Sequence, residues 1–248
     1  MHKRMILITA AVLLLLMITA CGKSSGNTEK NKDNNITAGQ GKNNNGETGD
    51  TDKKDTEPEK SGNKERIKYE KNEKGIIRSE DAKKIIKEKS DAVINALSKK
   101  DAKALSEFVH PVKGLRFTPY TNVSTEKDVV MNKEQIADFF KDKKEYTWGI
   151  YDGKGDKILL TPNKYYDEFV YSKDFINAEK IGYNEVLSSG NITENQFEVY
   201  KDAIVTEYYF SGFNPDYGGA DWQSLRLVFE EYEDDWKLVG IIHNQWTT

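Results

Sequence analysis

The sequence predicts an α+β domain over residues 76–248, in which N-terminal helices pack on a curved, mostly antiparallel sheet. Three observations carry this expectation. Apolar residues recur at helical spacing early in that stretch, and β-branched and aromatic runs broken by turn signals fill its last fifty residues. The aromatics are also concentrated there: of 13 Tyr, 10 Phe and 4 Trp in 248 residues, only Tyr69 precedes residue 76. A chain of this size can build a core without staples.

Taken in order, Ser79-Glu80-Asp81 starts a helix, with its acidic residues at the positive end of the dipole, and Ala82, Ile85, Ile86, Val93, Ile94 and Leu97 continue it. Asp101 caps a second, shorter helix that His110-Pro111 ends. Leu115-Arg116-Phe117 is extended, and Asn132 with Gln135 forms a capping-box start for a helix holding Ile136, Phe139 and Phe140. Tyr146–Tyr151 and Ile158–Leu160 are strands about an Asp152-Gly153 turn, and Thr161-Pro162 opens a helix with an aromatic face of Tyr165, Tyr166 and Phe169. Ala203–Phe210, Trp222–Tyr232 and Trp236–Thr247 are the closing strands. Simple alternation from Trp236 puts Trp236, Leu238, Ile242 and Trp246 on one face and Val239, Ile241 and His243 on the other. Both faces are apolar and both need a cover. The 121–200 stretch, through Phe139, Phe140, Tyr165, Tyr166 and Phe169, is favoured over a second protomer, so a monomer is expected over a homodimer.

Upstream of the domain, Lys3-Arg4, an apolar run from Met5 to Ile18 and small residues after it make a secretory signal peptide over residues 1–20. Ile18-Thr19-Ala20-Cys21 reads as a lipobox, in which Cys21 is lipidated and becomes the first mature residue. It is the only cysteine in the chain, so no disulfide is available and the fold must hold by packing. A diacylglyceryl anchor would place the protein on the extracytoplasmic face of the cell membrane. Residues 21–75 hold this cysteine and a polar linker too poor in apolar surface to fold; its charges nearly cancel, and its r.m.s. span is about 40 Å.

The blocks His110-Pro111-x-Lys113-Gly114-x-Arg116-Phe117-x-Pro119-Tyr120, Tyr146-Thr147-Trp148-Gly149, Asp221-Trp222-x-Ser224-Leu225-Arg226-Leu227-Val228-Phe229 and His243-x-x-Trp246-Thr247 resemble those of an uncharacterised family of Gram-positive-type bacterial lipoproteins. Two N-terminal helices before a sheet that ends in Trp236-Lys237-Leu238-Val239-Gly240-Ile241-Ile242-His243 also resemble the nuclear transport factor 2-like fold, which includes ketosteroid isomerase-like and SnoaL-like enzymes beside binding domains without catalysis. The resemblance implies a cone-shaped domain whose helices close one side of the sheet, with no known activity.

Among chemistry-bearing residues, His243 is the first candidate for acid–base work because its strand face is apolar, and Asp221 with Tyr120 or Tyr209 could supply a carboxylate base and a donor. His110, Arg116, Tyr120, Arg226 and His243 are the candidate ligand-binding set. Arg116 and Arg226 stand among apolar strand residues, which favours an internal ion pair over anion capture. The domain carries a net charge of −7, from 23 Lys and Arg against 30 Asp and Glu, with no basic stripe, so nucleic acid is excluded as a partner. No zinc, nucleotide or serine-hydrolase motif occurs, and Asp152–Asp156 lacks the later Glu of a calcium loop, so neither metal nor cofactor is expected. The reading that follows is a lipid-anchored protein with a non-catalytic domain that binds a small molecule or a cell-envelope partner. Its alternative is proton-transfer or hydrolytic chemistry of the ketosteroid isomerase or SnoaL type.

Overall fold

The computed structural model describes residues 68–247; the expected signal peptide, Cys21 and most of the expected linker lie outside the described residues. Lys68 to Arg78 fold back as a small hairpin, with Lys71 bridging Ile77 and the Asn72 side-chain oxygen accepting from the backbone N–H groups of Lys74 (2.9 Å) and Ile76 (3.0 Å). Ile77 is buried, Tyr69 packs on the core and Lys71 pairs with Asp202. Among the described residues the packed part reaches back to Tyr69, ahead of the expected boundary at 76. One aromatic and one Asn turn suffice to dock a hairpin whose composition otherwise matches the linker.

Helix α1 (Ser79–Ser98) buries Ala82, Ile86, Val93, Ile94 and Leu97, and α2 (Ala102–Phe108) is capped by Asp101, which accepts from the Ala104 N–H at 2.9 Å. Strands β1 (Leu115–Thr118) and β2 (Val129–Met131) precede α3 (Lys133–Ala137), where Asn132 and Gln135 form a reciprocal capping box. Phe139 and Phe140 lie beyond the end of that short helix. A separate hairpin joins β3 (Tyr146–Ile150) and β4 (Lys157–Leu160). Helix α4 (Pro162–Tyr165) then runs into a π-helical turn at Tyr166–Val170. The remaining elements are β5 (Lys180–Tyr183), the short α5 (Gln196–Val199), β6 (Ile204–Phe210), β7 (Gln223–Tyr232) and β8 (Asp235–Gln245). No helix among the described residues is long and apolar enough to cross a membrane.

The main sheet has six strands in the order β2-β1-β8-β7-β6-β5. All pairs are antiparallel except β1 with β8, where Phe117 lies beside Ile241 in parallel register, so the sheet is mixed. This makes the domain α+β. Strand β5 was not legible in the sequence, because four residues with one Gly carry almost no alternation.

A bulge decides which residues of β8 share a face. Val228 pairs with Gly240 and Phe229 with Leu238, which leaves Val239 as the extra residue. Trp236, Leu238, Ile241 and His243 consequently point to the helix side, while Val239, Ile242 and Asn244 point to the other, which corrects the faces expected from simple alternation. A one-residue insertion inverts every position after it.

The helix-side core is built from rings. Trp148 is fully buried and stacks on Tyr165 at 3.9 Å between centroids and 12° between planes, while Phe117 meets Phe139 at 5.3 Å, Trp148 at 5.5 Å and Tyr165 at 5.9 Å. The Trp148 indole donates to the Leu160 carbonyl at 2.8 Å, so its one polar atom is satisfied. Phe139, Phe140, Tyr165, Tyr166 and Phe169, expected on the opposite face, all belong to this core. The opposite face is covered by the 121–200 stretch, but through other residues: Val123, Phe197, Val199 and Tyr200 pack on Val205, Val228, Val239 and Ile242. Gly240 lets Tyr200 approach closely there, since the Tyr200 hydroxyl lies 3.0 Å from where a Cβ would stand.

Trp148→Ala should lower the unfolding free energy by about 3–5 kcal/mol, as a large-to-small change at a site too tightly stacked to collapse. Urea denaturation monitored by circular dichroism would measure it, and a loss below about 1 kcal/mol would remove the ring cluster from its central place in the core.

Candidate functional site

On the face of the sheet away from the helices, the middle of β6, β7 and β8 is polar, and a strap formed by residues 184–203 lies over it. Glu207 of β6 stands beside Arg226 of β7, which stands beside Ile242 of β8, and both charged residues have no solvent exposure. The Arg226 guanidinium nitrogen Nη1 donates to the Thr121 hydroxyl at 2.8 Å. Nη2 reaches the carboxylates of Glu194 at 2.9 Å and Glu207 at 3.1 Å, and also the Ser188 carbonyl and hydroxyl at 3.2 and 3.1 Å. Glu207 in turn accepts from the Leu187 N–H at 2.8 Å and from the Ser188 hydroxyl, and Ser188 is linked to Ser224 at 2.9 Å and to Asn244 at 3.2 Å. Two carboxylates crowd one nitrogen while Arg226 Nε and Gln196 Oε1 have no partner among the described residues.

This network fastens the strap. Asn195 binds both backbone groups of Val123, at 2.7 and 2.9 Å, and Asn184 exchanges two 2.7 Å bonds with the Val205 backbone. Asn184 and Asp202 hold positive φ, 49° and 65°, at either end of the strap. Of the cluster, sequence reasoning found only Arg226. The signal for Glu207 was available, as a lone carboxylate in the otherwise β-branched and aromatic run Ile204–Phe210, but nothing local marks Thr121, Ser188, Ser224 or Asn244.

His243 lies on the other face, fully buried, with Nε2 3.1 Å from Gln245 Oε1 and the ring edge-on to Phe169 at 5.7 Å. Burial pushes its pKa down to about 4, against a smaller upward pull from Gln245, so the ring is neutral at physiological pH. Tyr120 is half-buried beside Phe169 at 5.8 Å, its hydroxyl accepts from the Asp152 N–H at 3.3 Å, and desolvation raises its pKa.

The remaining candidates stand apart from both places. His110 turns the chain after α2: its Nδ1 accepts from the N–H groups of Val112 and Lys113, each at 3.1 Å, and its ring meets Tyr232 at 4.9 Å. Burial lowers its pKa as well. Arg116 does not form the expected ion pair but donates to the carbonyls of Ser124 at 3.1 Å and Thr125 at 3.3 Å, because the β1–β2 loop folds back over it. Asp221 ties the loop before β7, accepting from the N–H groups of Phe213 at 3.1 Å and Asn214 at 2.8 Å. Desolvation opposes its ionisation, but those N–H donors prevail and hold its carboxyl below the usual range. Tyr209 faces Trp222 at 6.3 Å, away from His243. His243, Asp221 and Tyr209 therefore do not converge. Two clefts, of about 530 and 360 Å³, open near the N-terminal hairpin, the larger between Lys74–Ile76 and Phe197–Ala203 and the smaller around Lys71, Lys113 and Asp202. None of the candidate residues lines either cleft. Among the described residues no cluster of His, Cys, Asp and Glu could hold a metal ion.

No protein-family model matches the chain, and no curated protein matches it. Among solved structures, a putative calcium/calmodulin dependent protein kinase II association domain from Xanthomonas campestris is similar at 13% identity and a TM-score of 0.28, over 64% of this chain and 84% of that one.

Two outcomes follow from the geometry. Glu207→Ala should destabilise the fold by about 3–5 kcal/mol because it leaves buried positive charge underpaired, whereas the double change Arg226→Met with Glu207→Leu should cost much less. A loss in the double variant as large as the sum of the two single-variant losses in chemical denaturation would show that the pair is not coupled. The histidines set a pH dependence with a defined sign. A folded-state pKa of about 4 for His243, below the unfolded value of about 6.5, means that the unfolded chain binds more protons between the two. Stability is full above pH 6.5 and falls as pH drops toward 4, by about 3 kcal/mol in all for His243. In His243→Phe this contribution should vanish from unfolding curves recorded across that window, leaving the smaller part from His110.

Proposed function

We propose that this chain is a lipoprotein of the resembled Gram-positive type, anchored through a lipid on Cys21 at the extracytoplasmic face of the membrane, and that its α+β domain binds a ligand or a cell-envelope partner without catalysing a reaction. The fold is read as nuclear transport factor 2-like, on the strength of the sequence blocks and of two N-terminal helices before a sheet whose helix-side face is closed. The observation that carries the non-catalytic reading is the filling of that side by the protein's own rings: Phe117, Phe139, Trp148, Tyr165 and Phe169 occupy the interior in which a ketosteroid isomerase-like enzyme would hold substrate. A base needs a reacting atom within hydrogen-bond reach, and neither His243 nor Asp221 lines either of the two clefts near the N-terminal hairpin.

Metabolic labelling with fatty acid tests the anchor. The wild-type chain should incorporate label and fractionate with membranes, and Cys21→Ser should do neither; equal labelling of both would defeat the lipobox. The enzyme alternative is tested by hydrogen–deuterium exchange α to the carbonyl of a small cyclic ketone. No acceleration by the protein is expected, and acceleration lost in His243→Gln would replace the binding reading with the catalytic one.

A further inference from the structure

Phe169 stands edge-on to His243, whose buried Nδ1 is an acceptor that no group among the described residues satisfies. Gln245 Oε1 lies 3.1 Å from His243 Nε2 and 3.5 Å from Gln223 Nε2, and an amide oxygen only accepts. His243 therefore carries its proton on Nε2, and Nδ1 is a bare lone pair, buried and without a hydrogen-bond partner. A buried polar atom in that state marks a missing donor. The ring against this imidazole is Phe169, at 5.7 Å, which is stacked on Tyr165 at 5.1 Å, edge-on to Tyr120 at 5.8 Å and tilted against Tyr151 at 6.1 Å. Tyr120, Tyr151, Ser172, Gln223 and Gln245 are only half-buried, so this spot is the mouth of the interior and not its depth.

Phe169 rides on the π-helical turn, in which the Tyr171 N–H reaches back five residues to the Tyr166 carbonyl at 2.8 Å. Such turns are rare and concentrate at functional sites. Relaxing this one to α-helical bonding removes one residue from the turn and swings the following side chains by about 100° around the axis.

We propose that Phe169 is a resident plug, and that the space it fills accepts a small, neutral planar ring bearing one O–H or N–H donor, which stacks on Tyr165 and donates to His243 Nδ1. An anion is disfavoured by Glu168, which hydrogen-bonds Tyr151 at the mouth, and the uncharged imidazole and amides offer a cation no buried counter-charge. The Tyr165 face favours a ring as the occupant. The proposal deepens the ligand half of the binding reading and is independent of the lipid anchor, so its failure would leave the Cys21 labelling result untouched.

The test is a titration of the full chain, labelled with ¹⁵N at its histidines, with phenol and with anisole, which has the same ring and no donor. Phenol should bind saturably and move the His243 Nδ1 resonance from the bare-nitrogen range toward the hydrogen-bonded range. Anisole should bind about tenfold more weakly, the worth of one hydrogen bond. Phe169→Ala should tighten phenol binding by at least about tenfold while keeping the preference, since no plug has to move. His243→Phe should abolish the preference. Three results would overturn the proposal: no saturable binding to the wild-type chain, equal binding of phenol and anisole, or an Nδ1 resonance already in the hydrogen-bonded range without ligand, which identifies a buried water as the missing donor. If Phe169→Ala does not fold, the wild-type titrations decide alone.

Discussion

Arg226 and Glu207 face each other across two central strands in a place that water does not reach, and the second half of the domain is arranged to make that tolerable. A lone guanidinium in such a setting would cost several kcal/mol, so it must be met by carboxylate and hydroxyl groups from outside the sheet. Those groups come from the strap, through Ser188 and Glu194, and from Thr121 in the β1–β2 loop. The pair therefore sets where both loops run. Once they are in place, Val123, Phe197, Val199 and Tyr200 cover the apolar remainder of the face.

The two faces of the sheet are solved by different physics. The helix side is dry aromatic packing with few polar atoms, and its specificity lies in ring geometry. The strap side holds charge and hydroxyl groups whose directional bonds admit fewer arrangements. The bulge at Val239 lets one strand serve both, because it places Leu238, Ile241 and His243 toward the rings and Ile242 and Asn244 toward the strap. Without that extra residue the imidazole and the carboxamide would exchange environments.

What the sequence made legible was local. Asp101 before α2 and the Asn132–Gln135 box are read from neighbouring residues because a cap satisfies N–H groups a few positions away. The α+β class followed from the same kind of signal. The parallel pairing of β1 with β8 joins residues more than a hundred positions apart, the strap is routed mainly by partners about 20 to 70 positions away, and the bulge is set by the register of β7 on β8; no periodicity encodes any of them. The candidate residues divide in the same way. Arg226 stood out because an arginine inside an apolar strand is anomalous by itself, whereas Ser188 and Thr121 matter only through where the fold puts them. His110 looked like a chemical residue and serves instead to close a turn, a role that a histidine and the following proline do not announce.

The hairpin of residues 68–78 also has a mechanical meaning. Its two arms leave from the same end, at Tyr69 and Arg78, so tension on the preceding chain would open it bond by bond, as a zip, and not load its bonds together. Little force is needed for that, and Lys71 would part from Asp202 early. Unfurling these ten or so residues releases roughly 35 Å of slack. Any pull on the chain ahead of Tyr69 would therefore be spent on this hairpin, a fuse in series, before it reached α1.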